Sequence, residues 1–97
     1  MIEADSVSFI AECFWADVHE SDLRALDERV EQSVLALRRA DKPLRYLGSL
    51  LVREDEVVLC LFDGPAEAVR EVAERARVPF ERIVETSRSP WSMPETS

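Results

Sequence analysis

Seven residues of this chain carry groups able to do chemistry: Glu12, His19, Tyr46, Ser49, Cys60, Glu85 and Trp91. Glu12 stands inside the apolar run VSFIAECFW, between Ala11 and Cys13. A carboxylate in the middle of a strand is costly unless it has a partner or a use. Arg45 or Arg82 at a sheet margin would supply the partner. The use would be a carboxylate of raised pKa at the mouth of a pocket, binding a metal or acting as a general base. Tyr46 or Ser49 would then stabilise a developing oxyanion, which makes Glu12 and Tyr46 the candidate catalytic pair. Ser49, Cys60, Glu85 and Trp91 are the candidate ligand contacts. The residues leave open which of Tyr46 and Ser49 shares the face of Glu12.

His19, the single histidine, sits in the loop ADVHES between Asp17 and Glu20. A loop histidine is ordinarily solvated, but these three side chains offer nitrogen and oxygen donors to a transition metal, above all if two subunits bring their loops together. Cys13 and Cys60 lie in apolar runs without CxxC spacing, which reads as buried free thiols in a reducing compartment; a disulfide or a thiolate ligand is the alternative.

The elements that must position these groups follow from periodicity. Val7 to Trp15 reads as a first strand, rich in β-branched and aromatic residues. Leu23, Leu26, Val30, Val34 and Leu37 recur at helical steps, with Ser21 as the expected N-cap and Pro43 beyond the end. Leu44 to Val52 and Val57 to Phe62 read as strands joined by the short polar turn REDE, hence as a hairpin. Asp63 and Gly64 are expected to cap a second helix, with Pro65 in its first turn and Ala66, Val69, Val72, Ala73 and Ala76 as its apolar stripe. Phe80 to Thr86 alternates as a last strand. Residues 1–88 form one domain and 89–97, which carry Trp91, a C-terminal tail.

The order β-α-β-β-α-β with right-handed crossovers predicts the ferredoxin-like split β-α-β: an α+β fold with a four-stranded antiparallel sheet and two helices on one face. The other face poses the question. The third strand is apolar on both sides, and Val58, Cys60 and Phe62, with Leu47 and Leu51 or with Tyr46, Leu50 and Val52, would leave several hundred Å² of uncovered apolar surface, more than a monomer ordinarily exposes. A partner chain, a small ligand or the Trp91 tail would cover it. The commonest arrangement is a symmetric homodimer with sheets face to face, a dimeric α/β barrel enclosing a pocket.

The 97 residues are 46% hydrophobic, enough for one cored domain. With 12 basic and 20 acidic residues the formal charge is −8 and no basic stripe offsets it, which argues against nucleic acid and anionic membrane as partners. No apolar run approaches the ~20 residues that span a bilayer, and the N-terminus lacks a signal-peptide pattern. A cytoplasmic location is expected.

The stretch CLFDGPAEAVREVAERARVPFERIVE resembles a family of small bacterial ferredoxin-like proteins of unknown function, some of them described as nickel-binding. The matching positions are Cys60, Leu61, Phe62, Asp63, Pro65, Arg75, Pro79, Arg82 and Ile83, and the likeness runs from about Phe9 to Arg88. The resemblance places a glutamate where Glu12 stands. It also implies a histidine in the second strand, where this chain has Gly48 within Tyr46-Leu47-Gly48-Ser49. Nickel favours imidazole, so the departure counts against a nickel site and enlarges the space above the sheet. The expected function is a small dimeric binding module holding a small ligand or a metal on the open sheet face. The alternative is a cofactor-free isomerase, cyclase or oxygenase using Glu12 as general base, which rests on analogy of fold.

Overall fold

The computed structural model describes residues 7–87. Its elements follow in the order β1 (Phe9–Phe14), α1 (Glu20–Arg39), β2 (Arg45–Val52), β3 (Val57–Asp63), α2 (Ala66–Arg75) and β4 (Arg82–Glu85). The four strands make one sheet in the order β2-β3-β1-β4, every neighbouring pair antiparallel. This is the ferredoxin-like arrangement expected from the element order. Trp91 and the boundary at residue 88 lie outside the described residues.

The expected stripe of α1 is the buried one: Leu26, Val30, Val34 and Leu37 are at most 2% exposed, with Leu23 packed at the margin. The helix starts two residues earlier than an N-cap at Ser21 suggests. His19 is the N-cap, and its backbone N–H donates to the Asp22 carboxylate at 2.9 Å, which satisfies a donor the helix itself cannot. On α2 the buried stripe is Ala68, Val69, Val72, Ala73 and Ala76, while Ala66 is exposed; Pro65 takes the N-cap place assigned to Asp63 and Gly64.

Both helices end in a left-handed residue that is not glycine. Asp41 (φ 60) follows α1 and Arg77 (φ 57) follows α2. Lys42 N–H returns to the Leu37 carbonyl and Val78 N–H to that of Ala73, the pattern that closes the last orphan carbonyls of a helix.

Alternation along β3 fixes the two faces. Val58, Cys60 and Phe62 are wholly buried beneath the helices, together with Ala11 and Cys13 of β1. Val57, Leu59 and Leu61 are the residues on the helix-free side. This corrects the expectation that Val58, Cys60 and Phe62 form the uncovered set: on a strand apolar to both sides, parity cannot tell which set meets the helices.

Candidate functional site

The open face of the sheet carries Ile10, Glu12 and Phe14 from β1, and Val57, Leu59 and Leu61 from β3. Gly48, Leu50 and Val52 come from β2, and Arg82 and Val84 from β4. Phe14, Leu50 and Val52 are the most exposed large apolar residues of this face, at 60%, 54% and 38%. Gly48 has φ 102, and a Cβ placed there would meet nothing within 4 Å, so the space above β2 is open at the position where the resemblance implies a histidine.

Within this apolar field the one charged pair is Glu12 and Arg82, which sit directly opposite each other on β1 and β4. Arg82 Nε donates to Glu12 Oε1 at 3.0 Å and Nη2 to Oε2 at 3.3 Å. The two-pronged geometry matches a guanidinium to a carboxylate, and the carboxylate holds the Arg82 pKa above its ordinary value. Of the two partners expected for Glu12, the sheet supplies Arg82; Arg45 is instead 3.8 Å from Asp63.

Tyr46 and Ser49 are on the other side. A β-bulge between Tyr46 and Gly48 passes over Leu47, so residues three apart share a face. Both hydroxyls donate to Asp27 Oδ1 on α1, at 2.5 and 2.9 Å. The Tyr46 ring also lies 5.2 Å from that of Phe62. Glu12 and Tyr46 are therefore on opposite faces of the sheet, and the expected base-and-oxyanion pair is not brought together. Asp27 was missed because the run DERVE reads as solvated. The available signal was its spacing: with Leu23, Val30 and Val34 it falls on the edge of the apolar stripe.

The remaining candidates are dispersed. Cys60 is fully buried on the helix side, diagonal to Cys13 across the β1–β3 pairing, and both are free thiols. The neighbouring Cys60 thiol, with burial, raises Cys13, while the Cys13 thiol beside it draws Cys60 down. Burial, with Cys60 and Asp27 close by, raises Tyr46. Glu85 is exposed, opposite Phe9. His19, Asp17 and Glu20 are exposed in the loop and first turn before and within α1. Among the described residues no three His, Cys, Asp or Glu side chains converge to hold a metal, so the donors of one described chain do not fit a nickel ion. No helix among the described residues is long and apolar enough to cross a membrane.

No curated protein matches the chain. Its structure is similar to the crystal structure of SCO4226 from Streptomyces coelicolor A3(2), with a TM-score of 0.58 and 24% identity, over 88% of this chain and 98% of that one. At that identity the likeness bears on the fold. Residues 13–86 match the model of the nickel responsive protein SCO4226-like family, more than half of the chain and all its helices and strands except the start of β1. The chain belongs to the SCO4226-like family.

Proposed function

We propose that this protein is a homodimeric binding module in which two copies meet through their open sheet faces and hold a small apolar organic ligand between them. The observation that carries the reading is the composition of that face. Ile10, Phe14, Leu50, Val52, Val57, Leu59, Leu61 and Val84 surround a single pair of opposite charges, Glu12 and Arg82. The face is thus electrically balanced on a chain of formal charge −8, and it is where two like copies approach with least repulsion. Four strands ~4.8 Å apart and about six residues long make a face of roughly 20 by 20 Å. Once side-chain relief is included, this is the scale of one side of a standard interface, ~800 Å².

The open space over Gly48 is the place for a ligand between such sheets: its neighbours on the face, Leu50 and Leu61, are hydrocarbon, and pockets so lined hold organic molecules oriented by few polar groups. The family's description names nickel; a metal in this chain would have to draw its donors from two copies, since one described chain brings no three together. Catalysis by Glu12 has no support in the geometry, because its carboxylate is committed to Arg82 and Tyr46 lies behind the sheet.

Native mass spectrometry on protein purified without chelator or affinity metal tests the reading. A dimer carrying the mass of an organic molecule supports it. A monomer refutes the interface, and a dimer carrying only nickel refutes the choice of ligand.

A further inference from the structure

A cavity of about 130 Å³ opens at the far end of the sheet, lined by Trp15, Asp17, Val18, Leu51, Arg53 and Glu56. Leu51 points to the helix side and Val18 is buried, so this cavity is separate from the open face and its proposed dimer.

Four described residues other than glycine have left-handed backbones: Asp17, Asp41, Glu56 and Arg77. Asp41 and Arg77 are accounted for by the helix ends. The other two, Asp17 (φ 56) and Glu56 (φ 52), both line this cavity. They are also tied to each other, since Asp17 N–H donates to Glu56 Oε2 at 3.3 Å, and the Glu56 carbonyl accepts from Trp15 N–H at 2.8 Å. The last position of a hairpin turn takes glycine most readily when it is left-handed. Glutamate there keeps a carboxylate at the cavity at the expense of backbone ease, as strained positions at binding sites do.

Opposite charges line this one cavity without touching. Among the described residues Arg53 reaches only Glu20, at 3.8 Å with both side chains mostly exposed, and makes no ion pair with Glu56 or Asp17 within 4.0 Å. The remaining walls are the Trp15 indole and two aliphatic side chains. The volume equals roughly four water molecules, room for an organic molecule of about five or six heavy atoms and far below the usual 300–1,000 Å³ of a drug-sized site. A simple anion would be repelled by the chain's field, whereas a ligand of balanced charge would not.

We propose that this cavity binds a small zwitterion, a free α-amino acid with a short side chain. Arg53 holds the carboxylate, Glu56 holds the ammonium, and Trp15, Val18 and Leu51 receive the aliphatic part.

The test is an NMR titration of the ¹⁵N-labelled protein, following the Trp15 indole N–H, which a Trp91→Phe variant distinguishes from that of Trp91. The probes are L-alanine, propionate, which lacks its ammonium, and ethylamine, which lacks its carboxylate. L-alanine is expected to shift the Trp15 signal saturably below ~50 mM, with each half-ligand at least ~10-fold weaker. Arg53→Gln, an exposed change that leaves the fold intact, is expected to weaken L-alanine at least ~10-fold without changing ethylamine. A Trp15 signal unmoved by L-alanine overturns the proposal. So does equal binding of L-alanine by Arg53→Gln, or ethylamine binding as tightly as L-alanine, which would mark a plain cation site. None of these outcomes depends on the oligomeric state.

Discussion

Tyr46 and Ser49 stand three positions apart on β2 and donate to the same atom, Asp27 Oδ1. A flat strand would turn them to opposite faces; the bulge that skips Leu47 turns both toward α1. One half-buried carboxylate oxygen thereby fixes the height of the long helix over the edge strand of the sheet.

That bridge predicts a coupled loss. Asp27→Ala leaves two hydroxyls without their acceptor in a part-buried site, which costs ~1–3 kcal/mol. Tyr46→Phe alone costs about 1 kcal/mol, the ordinary net worth of one hydrogen bond. The double variant is expected to lose less than the sum, because removing either partner breaks the same contact. Urea unfolding of the four proteins in the cycle measures this, and strictly additive losses would show that the bridge is not energetically shared.

The bulge also marks the limit of what periodicity makes legible. Element order, the stripe of α1, the hairpin and the ferredoxin-like topology all follow from spacing that survives translation into three dimensions. Glu12 with Arg82 was legible as one of two pairings, because a mid-strand carboxylate demands a cation. The faces were not legible. β3 is apolar on both sides, so Val58, Cys60 and Phe62 could be assigned to either, and Leu47 breaks the parity of β2 without any glycine–proline signal beyond Gly48 itself. The end of α1 was read from Pro43 rather than from its left-handed residue, since Asp41, like Arg77 after α2, occupies a place where glycine would have announced it. Asp27 hid in a charge run. The Trp15 cavity joins two segments distant in sequence, 15–18 and 51–56, and neither of them carries a motif.

Stability is expected to fall at alkaline pH. Tyr46, ordinarily at 10.0, and Cys13, ordinarily at 9.0, are both raised in the folded protein. Above those ordinary values the unfolded chain gives up protons that the folded chain keeps, so the unfolded state is favoured as pH rises. Cys60, drawn below its ordinary value, works the other way and offsets the Cys13 share, so Tyr46 sets the profile: its contribution is fully present below about pH 10 and is lost progressively above it, at most ~1.4 kcal/mol per pH unit. Thermal melts from pH 7 to 11 should show the decline beginning near pH 10, and Tyr46→Phe should make it shallower. A flat profile to pH 11 would mean that Tyr46 does not resist ionisation in the fold.

Leu59 lies near the centre of the open face, between Glu12 of β1 and Leu50 of β2. Leu59→Asp puts an unpaired carboxylate into the proposed interface, where it would be buried against a second copy. Sedimentation velocity is expected to change from dimer to monomer, with far-ultraviolet circular dichroism unchanged because the side chain is not in the helix-side core. A variant that still sediments as a dimer places the interface elsewhere.

Glu56 separates stability from binding. At φ 52 its backbone sits where a Cβ is disfavoured by ~1–2 kcal/mol and glycine is not. Glu56→Gly removes that strain but also the 3.3 Å hydrogen bond to Asp17 N–H, which is exposed and therefore worth little. The net effect expected on unfolding free energy is between no change and a gain of about 1 kcal/mol. The same substitution removes the carboxylate proposed to hold an ammonium group, so L-alanine binding at Trp15 should be lost while the fold becomes no weaker. A protein that is made distinctly less stable by Glu56→Gly would show that the glutamate serves to fasten the β1–α1 loop, and its left-handed backbone would then need no ligand to explain it.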